Sequence, residues 1–309
     1  MLNALRTELE TYLESIPADV TVVSELEFRI KHHGVREFDV FHQLAEHFRA
    51  VSSAQLDQKI LTVSLDQPDG STHRVRISED ARSDLVAMRN FCISDRVDLE
   101  YSELVSKRRL VKPYDNDQYG FRISACKEQE LSPEQKQEVR DRLREDRKNP
   151  LSASDKHYRF LRRYSFLLGA LADTESQIRV DLSLVKAHKG VDFRNSRVLD
   201  QRETFEVELE VTNLNIGSGS AQRREVAGLL VDQLDPIFTD MVRISLGGVA
   251  LAQATDISQA RSQYLKLVGA GPKRQFVGAN IVALEHRDLL KQDDGSRTIS
   301  PETHVVVDK

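Results

Sequence analysis

The sequence predicts an α+β, mainly β protein built on one antiparallel sheet of eight strands with helices on its apolar side. Three observations lead there. Segments of strict period-two alternation recur along the first 212 residues. The connections between them are short or helical, and one, Gln67-Pro68-Asp69-Gly70, is a strong hairpin turn. Between the strands lie amphipathic helices that could cover one face.

In chain order, Leu2, Leu5, Leu9 and Leu13 mark a helix over 2–15. Ser24–Lys31 alternates as a strand, and Phe38, Phe41, Leu44 and Phe48 share a face of a helix over 35–51. Strands follow at 59–66 and 72–79, then a helix at 81–92. Lys107–Lys112 is a strand, Pro113–Tyr119 a turn rich in Asp and Asn, and Gly120–Glu128 the next strand. Ser132 and Pro133 start a helix that runs to about Arg147 and reads as a solvated excursion, because it is nearly all charge. Strands resume at 156–168 and 177–188, and after a charged loop (189–203) Thr204–Thr212 is the last. One long helix is predicted over 218–246, with Pro236 kinking it. The expected organisation is a barrel domain over 1–247, a small-residue, basic linker over 248–275, and the beginning of another domain over 276–309.

Composition narrows the function classes. Lys and Arg number 44 against 49 Asp and Glu, so a chain dense in charge has a net charge of only −5. That balance argues against a protein that coats nucleic acid, though a local basic site is allowed. No apolar run approaches the roughly 20 residues of a membrane-spanning helix. Residues 1–16 mix charge with leucine and do not resemble a signal peptide; with two cysteines, this is the pattern expected of a reducing compartment.

The distribution of charge among strand faces is more informative. Residues two apart in a strand point the same way. Glu25, Glu27 and Arg29 share one face, and Glu206, Glu208 and Glu210 share another opposite Phe205, Val207, Leu209 and Val211. Between these acidic strands the charged faces are mostly basic: Arg74 with Arg76, Lys107 with Arg109, Arg122 with Glu128, Arg159 with Arg163, and Arg179 with Asp181. Glutamates alternating on one strand repel each other across roughly 7 Å, a placement that a divalent cation relieves. A wall of arginine suits an anion with many oxygens, such as a phosphate chain. Closure of the sheet with this face inward would give a tunnel holding nine basic and seven acidic side chains. Cys126 falls on the same face as filler, and the histidines show no ligand spacing.

Glu25-Leu26-Glu27-Phe28-Arg29 resembles the opening ExExK/R motif of the triphosphate tunnel metalloenzymes, and Phe205–Glu210 resembles their closing ExExE strand. The similarity is greatest to the metal-dependent RNA 5′-triphosphatases of fungal and large-DNA-virus mRNA capping enzymes, through Arg122-Ile123-Ser124, Arg163-Tyr164-Ser165-Phe166 and Arg179-Val180-Asp181-Leu182-Ser183. It covers roughly 20–245. The resemblance implies a magnesium or manganese ion on Glu25, Glu27 and Glu210, with Glu206 a further candidate and Glu208 bonding a metal-bound water or a basic neighbour. It implies Glu128 as the carboxylate that orients the attacking water. Arg76, Lys107, Arg109, Arg163 and Arg179 would act on the phosphates, joined by Arg29, Arg74, Arg122 and Arg159, with Asp181 orienting an arginine. Where many relatives carry lysine, the first motif ends in Arg29, whose fork binds phosphate with a different geometry.

Phe276-Val277-Gly278, Ile281–Leu284 and Arg287–Leu290 resemble the entry to an mRNA guanylyltransferase domain. Val305–Lys309 ends where the lysine of a KxDG motif would stand, unless Lys309 is only where the sequence stops. The implied substrate is triphosphate-ended RNA, with a guanylyltransferase domain continuing beyond residue 309, no membrane, and a host cytoplasm or virion as location. Two other readings stay open: hydrolysis of tripolyphosphate, thiamine triphosphate or a free nucleotide on the same fold, and a noncatalytic polyphosphate-binding or scaffold barrel.

Overall fold

The computed structural model describes residues 2–31, 38–79, 82–116, 120–149, 154, 156–171 and 175–245. The expected linker and second domain lie outside the described residues. Nine strands are described: β1 (Val22–Ile30), β2 (Ala54–Asp66), β3 (Thr72–Ser78), β4 (Glu103–Arg109), β5 (Tyr114–Asn116), β6 (Phe121–Glu130), β7 (Lys156–Ala170), β8 (Gln177–Gly190) and β9 (Thr204–Asn215). They pair in the order β1-β9-β8-β7-β2-β3-β4-β6, and β6 pairs back onto β1. Every pairing is antiparallel, so the predicted barrel closes on eight strands. β5 is a correction: part of the stretch read as a turn pairs with the start of β6.

The helices are α1 (Leu2–Glu14), α2 (Phe38–Val51), α3 (Arg82–Ser94), α4 (Pro133–Lys148), the single turn α5 (Phe193–Ser196) and α6 (Ser220–Ser245). They cover the outside of the barrel in two apolar clusters. One joins the outward residues of β1, β6, β8 and β9, such as Leu26, Phe28, Ile123, Val180 and Leu209, to α1, α2 and α6. Phe238 of α6 is its wedge, with ring centroids 5.2 Å from Phe28 and 5.5 Å from Phe121. The other joins Leu61, Val63, Val75, Ile77 and Tyr158 to α3, α4 and α5. Because the apolar face of each strand is taken by a helix, the charged face has only the interior left.

Local chemistry sets the joints. In the β2–β3 turn Gly70 has φ +80°, and the Asp69 carboxylate accepts from the Ser71 N–H and hydroxyl at 2.9 and 2.6 Å. Ser132 caps α4, its hydroxyl accepting from the Gln135 N–H while the Gln135 side chain accepts from the Ser132 N–H. α4 is more than an excursion: Val139 and Leu143, four apart, are buried in the second cluster, and Asp146 lies 2.7 Å from the buried Lys156 ammonium. The loop read as 189–203 contains α5 and a 3-10 turn at Val198–Asp200.

One buried cation ties the ends of the barrel domain together. Arg223 of α6, 3% exposed, donates to the carbonyls of Leu13, Ile16, Pro17, Val20 and Gly217. Its fork gathers carbonyls at and just beyond the end of α1, where a positive charge is also favoured by the helix dipole. Removing it takes a donor from five carbonyls at once, of which Leu13 and Pro17 keep backbone N–H partners. Arg223→Ala is therefore expected to lose about 3 kcal/mol in denaturant unfolding, whereas an unchanged midpoint would show the anchor to be dispensable.

Candidate functional site

The register brings the charged faces together inside the barrel. Glu27 of β1 is the direct cross-strand partner of Glu210 on β9, and Arg29 that of Glu208. On the other side of β1, Glu25 faces Cys126, Glu27 faces Ser124 and Arg29 faces Arg122 of β6. Arg179, Asp181 and Ser183 of β8 face Glu210, Glu208 and Glu206 in turn. Arg159 and Arg163 of β7, Arg74 and Arg76 of β3, and Lys107 of β4 complete the wall.

Inside, each acid meets cations. Lys107 hydrogen-bonds Glu25 and lies 3.5 Å from Glu128, with Arg74 and Arg76 at 3.8 and 4.0 Å from the same carboxylate. Arg29 bridges Glu208 at 2.5 Å and Glu27 at 3.1 Å. Arg159 binds Glu206 at 2.5 Å. Asp181, fully buried, holds two arginines, Arg163 at 3.1 Å and Arg179 at 3.2 Å, and Arg179 also reaches Glu210 at 2.9 Å. Arg163 further donates to the Ser183 hydroxyl.

Burial makes these pairings matter, because unpaired charge in a dry interior is expensive. Burial alone would push Glu25 up, but Lys107, Arg76 and Arg74 hold it below the ordinary glutamate value. The same contest resolves more strongly at Glu208, which Arg29, Arg163 and Arg159 hold down to about 2. Two acids go the other way. Burial, with Glu208 adding to it, raises Glu27 despite Arg29. Burial, partly offset by Arg179 and reinforced by Glu25 and Asp181, raises Glu210 to about 7.

Glu27 and Glu210, cross-strand partners, are therefore where negative charge is least compensated, and Glu25 stands next to Glu27 on the same face. One Glu210 oxygen is buried with no hydrogen-bond partner, as is one Glu128 oxygen. Hard oxygen donors at neighbouring register positions are the ligands magnesium or manganese takes, so the residues fit a divalent ion. Among the described residues no three Asp, Glu, His or Cys side chains already converge on one point. Binding would thus have Glu25 and Glu210 exchange their Lys107 and Arg179 partners for the ion.

Most of the candidate residues share this interior, with three qualifications. Glu206 stands beyond Glu208, opposite Ser183 and bound to Arg159, away from the Glu27–Glu210 pair. Arg109 is exposed at the end of β4, outside the ion-pair cluster. Arg122 is gripped at the rim by Asp115 of β5, at 2.8 and 2.9 Å. The sequence reading missed Asp115, which also holds Lys31, and Glu103, which binds Arg76 at 2.9 Å. It also missed Ile60, Leu161 and Val185, an apolar cluster formed by residues in register on adjacent strands that interrupts the charged face.

No family model and no curated protein matches the chain. Among solved structures, one likeness is to the triphosphatase of the Mimivirus capping enzyme, at 16% identity and a TM-score of 0.45, covering 71% of this chain and 93% of that one. Another is to the Pct1 RNA triphosphatase of S. pombe, solved with the Spt5 CTD, at 16% identity and a TM-score of 0.39, over 79% and 92% of the two chains. A third is to HpAC1 of Hippeastrum, a putative adenylyl cyclase with a dominant triphosphatase activity, at 14% identity and a TM-score of 0.29, over 77% and 95%. At these levels of similarity the reading of function rests on the site itself.

Asp181 is the residue on which the arginine side of the wall most depends. Truncating it leaves two largely buried guanidinium groups without their shared carboxylate. Asp181→Ala is expected to lower stability by about 3–5 kcal/mol in denaturant unfolding, and a loss under 1 kcal/mol would show that Arg163 and Arg179 are held by other contacts.

Proposed function

We propose that the barrel is a metal-dependent RNA 5′-triphosphatase that removes the γ-phosphate of triphosphate-ended RNA, the first step of mRNA capping. One observation carries the reading: a closed interior places a carboxylate cluster, Glu25 with the under-compensated pair Glu27 and Glu210, beside a dense set of guanidinium groups. Carboxylates attract a divalent cation and repel phosphate; arginines do the reverse. A wall carrying both suits a metal-bound polyphosphate.

Glu25, Glu27 and Glu210 would hold magnesium or manganese, which when bound supplies Lewis-acid polarisation of the γ-phosphoryl oxygens. Arg29, Arg159, Arg163 and Arg179 offer forked donors to the phosphate oxygens, and Arg74, Arg76 and Lys107 add charge from the facing wall. Asp181 positions Arg163 and Arg179 for this task. Glu128 has one buried oxygen without a partner and three cations within 4.0 Å, so it can accept a hydrogen bond from water without leaving the wall. In the reaction the water oxygen forms a bond to the γ-phosphorus, the bond from that phosphorus to the β–γ bridging oxygen breaks, and Glu128 takes the water proton. Phosphate and diphosphate-ended RNA result. Exclusion of bulk water by the closed wall strengthens every one of these interactions.

RNA labelled at the γ-phosphate tests this directly. The protein with manganese or magnesium is expected to release labelled phosphate, and a chelator to stop it. Glu25→Gln and Glu210→Gln are each expected to lower turnover at least 100-fold while the unfolding midpoint stays within a few degrees. Full activity in either variant would remove the metal assignment. Tight binding of triphosphate without release under any divalent metal would make the barrel a polyphosphate-binding module instead.

A further inference from the structure

The interior is not uniform along its length. On two adjacent strands, β1 and β6, the inward face changes sign in the same direction. β1 runs Glu25, Glu27, Arg29, with Lys31 just past its end; antiparallel β6, taken from its C-terminus, runs Glu130, Glu128, Cys126, Ser124, Arg122. Register aligns the two sequences, since Glu25 faces Cys126, Glu27 faces Ser124 and Arg29 faces Arg122. On β4 the basic residues come earlier: Lys107 is level with Glu128, and Arg109 with Cys126 and so with Glu25. One end of the β1–β6 wall is therefore acidic and the other basic. Beyond Glu25 the face turns apolar: Val23 and Leu214 are register partners, and both are buried in the cluster that contains Leu13 and Ile16 of α1.

The cations of the basic end reach solvent. The Lys31 and Arg122 side chains are 35% and 40% exposed. Asp115 holds Lys31 and the Arg122 fork side by side, and those two cations keep its carboxyl well below the ordinary aspartate range. Two cations share one acid there, which leaves a net positive rim.

A triphosphate end is followed by a chain of phosphodiesters, and these must leave the interior somewhere. We infer that the RNA strand leaves across the β1–β6 rim, with Lys31 and Arg122 contacting the backbone phosphates of its first nucleotides. The direction of travel rests on the triphosphatase reading; the binding of RNA backbone at this rim does not. Such a site binds polynucleotide and has nothing to offer a bare tripolyphosphate, which would bias the barrel toward RNA ends. Asp115 has two effects in it: it aligns Arg122 and Lys31, and its charge opposes the phosphates.

A short RNA with a 5′-hydroxyl and a fluorophore at its 3′ end tests the rim without any phosphate that could be hydrolysed. Anisotropy with the wild-type chain is expected to show salt-dependent binding. In the Lys31→Ala/Arg122→Ala double variant the dissociation constant is expected to rise at least tenfold at low salt, and the slope against log salt to shrink by about 1.4, or roughly 0.7 for each phosphate deprived of its cation. Asp115→Asn is expected to tighten binding severalfold, a gain that a misfolded variant cannot mimic. Lys59→Ala, at an exposed lysine on the outward face of β2, is expected to change the constant less than twofold. Absent wild-type binding, an unchanged slope in the double variant, or an equal effect of Lys59→Ala would overturn the inference. Loss of RNA binding in the double variant alongside a wild type that hydrolyses no triphosphate would sink the catalytic reading and leave this one standing. Active hydrolysis with rim-independent RNA binding would do the opposite.

Discussion

The pairing of β6 back onto β1 is the constraint from which the rest follows. Six register pairs, from Glu25–Cys126 to Ile30–Phe121, close the sheet. Without them β1 and β6 would be edges, and the charged face would open to solvent. With them the face becomes concave, and side chains meet that are not on neighbouring strands. Lys107 of β4 reaches Glu25 of β1 across β6, and Arg159 and Arg163 of β7 reach Glu206 and Glu208 of β9 across β8. Next-nearest strands lie about 10 Å apart, a span that a long cation covers by leaning over a curved surface and does not cover on a flat one.

Such an interior is a poor way to gain stability. Buried ion pairs return little more than the desolvation they require, and apolar replacements of similar volume are often as stable or more so. Stability comes instead from the outside of the barrel, where two apolar clusters and the Arg223 anchor bind helices to the strands. The charged wall is carried by that scaffold. Its pairs neutralise one another, and each is also a place where a cation or a phosphate can take over a partner. Residues that destabilise a fold yet stay in an ordered network are the ones a binding site needs.

Much of this was legible in the alternation. β1, β8 and β9 each oppose a charged face to an apolar one, and the helices that cover the apolar faces are themselves periodic, so both the strands and their inward sides could be read. The Pro-Asp-Gly turn and the Ser132 cap are local chemistry and were equally legible. What escaped depends on distance in the chain. The partners of Arg122 and Lys31 come from a three-residue strand, β5, hidden in a segment of turn-forming residues. Arg223 looks like any charged residue of a long helix, and only the packing of α1 against α6 shows why it is buried. Alternation gives the face of Arg109 but not its depth along the tunnel; that is set by where β4 stops relative to β6. Ile60, Leu161 and Val185 break the charge pattern because three strands place apolar residues in register, which no single strand reveals.

The central claim is that the inward charges form one site for a metal-bound polyphosphate. Calorimetric titration of inorganic tripolyphosphate into the protein, with calcium to bind without promoting hydrolysis, tests it most directly. The account predicts one saturable site per chain that requires the cation, weakens steeply with salt and is lost in Arg163→Glu protein that still folds. Cation-independent binding, several weak sites, or unchanged affinity in the charge-reversed variant would contradict it.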